Sequence, residues 1–207
     1  MIKIKVCGMR DPLNVIEVIE TKPDYMGFIF YPGSPRYIGE EPDISLFQNV
    51  PVGILKVGVF VNETPAKIQD IVQDAGLDLI QLHGHEPPEY CSILRSAGLI
   101  IIKALSITDD FDFKELVSYK KSCDYFLFDT KSDKPGGSGR KFNWDILSRY
   151  SLDIPFFLSG GISPEDSVMI RSIEHNGFYA VDVNSLFETS PGVKDASLLK
   201  AFIETVK

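Results

Sequence analysis

The chain has 207 residues, enough for one domain with a sizeable core, and its 44% hydrophobic and 24% charged residues are ordinary for a folded globular protein. A formal charge of −8 argues against a nucleic-acid or anionic-membrane surface, although backbone N–H groups can still hold a small phosphate. No apolar run reaches the length of a membrane span and the N-terminus opens directly into a strand, so a cytoplasmic protein is expected.

A first strand, residues 3–7, puts Ile4 and Val6 on one face and Lys3, Lys5 and Cys7 on the other. Gly8 turns the chain, and Asp11-Pro12 caps a helix with proline at its first position. Leu13, Ile16, Val18 and Ile19 are its expected apolar stripe. Residues 25–30 form a nearly continuous apolar second strand, followed by a Pro- and Gly-rich loop to Ile38 that carries Arg36. Asp43 caps a short helix reaching Asn49. A third strand spans 54–61; Thr64-Pro65 opens a helix to Ala75, and Gly76 ends it. The fourth strand, 79–83, leads through Gly84-His85-Glu86-Pro87-Pro88 into a helix ending at Ala97-Gly98. The fifth strand spans 99–105, with a helix over 112–121. The sixth spans 124–129; a glycine-rich loop runs over 130–141, and a helix covers 143–150. The seventh, 154–158, ends in Ser159-Gly160-Gly161. Ser163-Pro164-Glu165-Asp166 then starts another helix in the manner of a capping box. The eighth strand spans 178–183, one helical turn follows at 184–188, and the last helix spans 193–206.

Strands read as apolar runs, as parallel strands covered on both faces do. Alternating β and α units argue a parallel sheet with right-handed crossovers, and eight of them suggest closure. The expected fold is a minimal single-domain (β/α)8 TIM barrel over 1–207, with a doubly wound open sheet as the alternative.

In such a barrel the chemistry lies where strands end. The first strand ends at Cys7 and the second runs into the loop with Arg36. The fourth delivers Gln81 and His83, and the sixth ends at Asp129. Ser159-Gly160-Gly161 follows the seventh, and Asp182 and Asn184 mark the end of the eighth. Gly160, Gly161, Asn184 and Ser185 suit a phosphate site after strands seven and eight, where glycines let the backbone approach an anion. Gly160-Gly161 as a tight turn alone is the plainer reading. Cys7 and Asp129 are the candidate base and acid, although an aspartate ending so apolar a run also suits a helix cap or a buried structural carboxylate; Lys5 can help a thiolate or simply pair with an inward carboxylate. Arg36 is either a solvated loop charge or a fork for a carboxylate. Tyr31, Phe30 and Tyr37 offer aromatic surface near the same rim, for packing or for stacking. His83 and His85 form an H-x-H at a strand end, but His175 lies on the other side of a barrel, so hydrogen bonding is preferred to metal binding. Cys91 and Cys123 read as packing residues; an odd cysteine count without C-x-x-C spacing suits neither a disulfide scaffold nor structural zinc.

Seven stretches then occur in order: Lys5-Val6-Cys7-Gly8-Met9-Arg10, Gly27-Phe28-Ile29-Phe30-Tyr31-Pro32-Gly33-Ser34-Pro35-Arg36-Tyr37-Ile38, Val57-Gly58-Val59-Phe60-Val61-Asn62, Gln81-Leu82-His83-Gly84, Phe128-Asp129-Thr130, Gly136-Gly137-Ser138-Gly139 and Ser190-Pro191-Gly192-Val193-Lys194-Asp195. Together they resemble the phosphoribosylanthranilate isomerase family of tryptophan biosynthesis, over the full length of the chain. The resemblance implies an Amadori rearrangement of a phosphorylated aminoaldose without a cofactor or metal, in a monomer or homodimer. It implies that Cys7 is the general base and Asp129 the general acid, that Arg36 faces the anthranilate carboxylate, and that His83 and Asp182 line the pocket. It places the phosphate on Gly160, Gly161, Asn184 and Ser185. Family members often have alanine where this chain has Ser159 and serine where it has Asn184. Residues 131–135 are expected to close over substrate. Other phosphosugar barrels, of epimerase or synthase type, are the alternative, and only Lys5 and Lys103 lean toward a catalytic lysine.

Overall fold

Parallel strands β1 (Lys3–Cys7), β2 (Tyr25–Ile29), β3 (Leu55–Phe60), β4 (Leu79–Leu82), β5 (Ile101–Ile107), β6 (Tyr125–Thr130), β7 (Phe156–Leu158) and β8 (Phe178–Val183) pair in chain order in a computed structural model, which describes residues 1–130 and 141–207. β8 returns to β1, with Lys5 opposite Asp182, and closes the expected barrel. Helices α1 (Pro12–Ile19), α2 (Ser45–Gln48), α3 (Pro65–Ala75), α4 (Pro88–Ser96), α5 (Ser167–Arg171) and α6 (Ala196–Val206) lie in the connections and after the last strand.

The two faces of each strand feed two cores. Ile4, Val6, Met26, Phe28, Phe60, Phe126, Phe128 and Phe156 belong to the larger cluster, which the helices also supply. Burying each such phenylalanine stabilises the fold by about 1.5–3 kcal/mol. The barrel interior is filled by Tyr25, Val57, Leu79, Ile102, Leu127, Phe157 and Ala180. A smaller group, Cys7, Ile29 and Val59, lies nearer the carboxyl ends of the strands. The interior is therefore plugged, and chemistry is confined to its upper rim.

Several expectations needed correction. In α1, Leu13 and Ile16 are exposed, whereas Asn14, Val15 and Val18 are buried. The helix is turned so that the Asn14 amide meets the backbone of Lys194 in both directions, at 2.7 and 2.9 Å. β5 runs two residues further than expected, pairing Ser106 with Asp129 and Ile107 with Thr130. The segments after β5 and β6, Phe113–Tyr119 and Trp144–Arg149, wind as 3-10 helices. Each opens on a side chain that accepts from the backbone two residues on, Asp112 from Lys114 and Asn143 from Asp145. The turn after β8 is a 3-10 turn, Ser185–Phe187. An unforeseen hairpin follows, β9 (Glu188–Ser190) with β10 (Val193–Lys194), built around Pro191-Gly192. The last helix therefore begins at Ala196, where Asp195 accepts from Ser197 and Leu198.

Candidate active site

The strand ends open onto one cavity of about 830 Å³. Cys7, Arg36, His83, Asp129, Gly160, Gly161, Asp182, Asn184 and Ser185 all line it. This is the size range of a small-molecule site. A shallower depression of about 400 Å³ sits at the opposite end, by Lys22, Asp24 and Ile54. Its Asp24 is already held by Lys3 and Lys207.

Cys7 closes β1 and is 4% exposed. It sits opposite Gly27 of β2, and a Cβ on Gly27 would come within 2.7 Å of its Sγ. A glycine there makes room for the thiol. Two residues earlier, the fully buried Lys5 Nζ donates to Asp182 at 2.9 Å. Ser159 Oγ reaches the other Asp182 oxygen at 3.4 Å. Burial by itself would push the Lys5 ammonium down, but Asp182 and Cys7 outweigh it and hold Lys5 above the ordinary lysine range. Burial pushes the Cys7 thiol up; Lys5 and Lys194 oppose that, while Asp182 adds to it. Asp182 is also pushed up by burial, against the pull of Lys5.

On β6, Asp129 Oδ2 lies 3.3 Å from His83 Nε2, and both side chains are partly exposed. Gln81 Nε2 is 2.9 Å from His83 Nδ1. With the Gln81 amide donating, Nδ1 accepts and Nε2 carries the proton that faces Asp129. The His83 loop is fixed from behind. Lys103 Nζ donates to Leu82 O (3.2 Å), Gly84 O (2.8 Å) and Glu86 Oε2 (2.8 Å), while Glu86 accepts from the backbone of Asn62 and Gly84. Gly160 packs directly on Asp129 and Thr130. Gly160 and Gly161 hold φ of 91° and 66°, a region that favours glycine.

The Arg36 guanidinium lines the cavity and binds Glu188, with Nε donating to Oε1 at 2.8 Å and Nη2 to Oε2 at 2.6 Å. Arg36 is 5% exposed, so it is no solvated loop charge. Tyr31 lines the cavity, whereas Phe30 stacks on Phe60 in the core. His85 is exposed, and His175 lies before β8, bonded to Tyr150 O and Gly177 N. Among the described residues no group of three His, Cys, Asp or Glu side chains is placed to hold a metal. Cys91 and Cys123 are buried. The expected lid, 131–135, and Gly136-Gly137-Ser138-Gly139 lie outside the described residues.

Sequence reasoning missed Glu188, which it placed in a helical turn, and the Glu86 partner of Lys103. A buried cation needs an anion, so Lys5 and Lys103 each signalled a hidden carboxylate without saying which.

The chain matches the family described as N-(5'phosphoribosyl)anthranilate (PRA) isomerase over residues 4–205. It is 43% identical to an N-(5'-phosphoribosyl)anthranilate isomerase of Phocaeicola vulgatus, across 99% of this chain and 97% of that one. The crystal structure of phosphoribosyl anthranilate isomerase from Thermotoga maritima superposes with a TM-score of 0.86 at 36% identity, covering 100% of this chain and 98% of that one. A phosphoribosyl anthranilate isomerase solved in complex with reduced 1-(o-carboxyphenylamino)-1-deoxyribulose 5-phosphate gives 0.83 at 32% identity, with the same coverage.

Proposed function

The chain belongs to the N-(5'-phosphoribosyl)anthranilate isomerase family and is an isomerase, and from that premise we propose that it converts N-(5-phosphoribosyl)anthranilate to 1-(2-carboxyphenylamino)-1-deoxyribulose 5-phosphate, a step of tryptophan biosynthesis in the cytoplasm. The observation that carries this reading is the convergence of Cys7, Asp129, Arg36 and the two strand-end loops on one cavity.

The phosphate sits on the backbone of Gly160, Gly161, Asn184 and Ser185, and Arg36 faces the anthranilate carboxylate. Asp129, beside His83, protonates the ring oxygen, and the sugar opens to a protonated Schiff base. Cys7 then removes the proton from C2′, giving an enolamine. Protonation at C1′ and loss of the 2′-hydroxyl proton leave the ketose. A thiol is already mostly protonated at neutral pH, and burial pushes Cys7 further that way. Ring opening changes that balance, because the protonated Schiff base brings a positive charge to the thiol and adds to the effect of Lys5. Lys5 and Lys103 are both paired with carboxylates, which supports the isomerase reading over a lysine-dependent synthase. No helix among the described residues is long and apolar enough to cross a membrane.

The test is turnover. Freshly prepared phosphoribosylanthranilate is supplied to the purified protein and the loss of its fluorescence is followed. Arg36→Ala should raise KM more than it lowers kcat, as loss of uniform binding does. No turnover by the wild-type protein removes the assignment, and an unchanged KM removes Arg36 from the site.

A further inference from the structure

The hairpin β9–β10 adds little to the core: Thr189 and Ser190 are exposed. Yet it brings two fully ionisable side chains into the interior. Glu188 and Lys194 are 4% and 0% exposed at their side chains and meet at 2.5 Å. Glu188 also takes Nε and Nη2 of Arg36, which fixes the plane of the guanidinium, and accepts from Gly192 N at 3.1 Å. Lys194 Nζ donates in turn to Asn184 Oδ1 at 2.7 Å and lies 3.4 Å from Asn184 O. The hairpin is anchored, because the Asn14 amide of α1 holds both the N–H and the C=O of Lys194.

The third side of this cluster is the turn after Cys7. A Cβ on Gly8 would lie 2.6 Å from Arg36 Cδ and 2.8 Å from Asn184 Oδ1. Arg36 and Asn184 therefore converge on the backbone that follows the thiol. One carboxylate and one ammonium thus touch both ends of the site. Burying charges on so small a hairpin is a poor way to gain stability, since an apolar replacement often does as well. What such a network does supply is fixed geometry.

We infer that Glu188 and Lys194 are positioning residues that set the two anion-binding ends of the cavity: Glu188 orients Arg36 toward the substrate carboxylate, and Lys194 holds Asn184 in the phosphate loop. This rests on the function proposed above. The substrate it serves is an anion at both ends, and the hairpin joins the two receptors into one body.

The experiment compares wild type, Glu188→Gln and Lys194→Met. Wild-type turnover of phosphoribosylanthranilate is measured first; its absence removes the premise and this inference with it. With turnover established, KM, kcat and competitive inhibition by anthranilate and by inorganic phosphate are measured for each variant, alongside the melting temperature. Glu188→Gln should raise KM by about tenfold with kcat within about threefold, and weaken anthranilate more than phosphate. Lys194→Met should weaken phosphate more than anthranilate, and Lys194→Arg should restore part of the phosphate affinity. If one variant fails to fold, the selectivity of the other decides. Equal weakening of both inhibitors, in step with a fall in melting temperature, reduces the hairpin to a structural strap and overturns the inference. So does an unchanged KM in Glu188→Gln.

Discussion

Gly160→Ala is the substitution that most sharply separates local geometry from general stability. Gly160 has φ of 91°, and a Cβ there would lie 2.8 Å from Asp129 Oδ1 and still closer to the backbone and hydroxyl of Thr130. Ordinary contacts between heavy atoms sit at about 3.5–4.0 Å, so the end of β6 and the loop after β7 must separate by about 1 Å or slightly more. A misplacement near 1 Å can cost about a hundredfold in rate, and here it falls on the candidate acid and the phosphate loop together. The backbone conformation alone costs about 1–3 kcal/mol for a residue with a side chain. Gly98 supplies the matched control. Its φ is 89°, nothing lies within 4 Å of a Cβ there, and it follows α4 at the far end of the barrel. Gly98→Ala should lower the melting temperature by roughly 2–4 °C for each kcal/mol and leave kcat/KM unchanged. Gly160→Ala should melt lower still and lose about a hundredfold in kcat/KM. Steady-state kinetics and thermal melts on the pair give the answer. Equal kcat/KM in the two variants would refute the packing argument.

Two further outcomes follow from the same geometry. Gly27→Ala should displace the Cys7 thiol, so kcat should fall by at least about tenfold while KM changes little; a loss confined to KM would contradict it. The second concerns acid. Burial works to raise the Glu86 and Glu188 carboxyls, but Lys103, Arg36, Lys194 and backbone N–H donors outweigh it and hold both below their ordinary value of 4.5. A depressed folded-state value means the unfolded chain binds protons first as pH falls. The stability from these groups is therefore present above pH 4.5 and lost as pH drops through their folded values. Urea unfolding should give a flat midpoint from neutral pH to about 5 and a decline below it. A midpoint constant down to strongly acid pH would contradict the sign.

The barrel was legible because its signals are local. Apolar runs mark the strands, Pro and Gly punctuate the connections, and Cys7 and Asp129 stand at strand ends. Long-range pairing was not legible. Asn14 lay outside the expected apolar stripe of α1, but it is buried because it meets the backbone of Lys194, 180 positions away. The inverse error put Leu13 and Ile16 in the core. Arg36 read as a carboxylate fork or a solvated charge, and nothing nearby revealed Glu188, 152 positions on. Lys5 and Lys103 leaned toward a catalytic lysine in the sequence, and the fold places Asp182 and Glu86 beside them. Strands of three and two residues in the β9–β10 hairpin are too short for periodicity to expose; only Pro191-Gly192 hinted at the turn.

The central claim is that Asp129 donates a proton to the ring oxygen and Cys7 takes one from C2′. Its most direct measurement is kcat on phosphoribosylanthranilate for Asp129→Asn and Cys7→Ser, with circular dichroism to establish that each variant is folded. General acid–base groups contribute typically 10²–10⁴-fold, so each variant should lose roughly that much in kcat. A folded variant of either kind that keeps a rate close to wild type would contradict the claim.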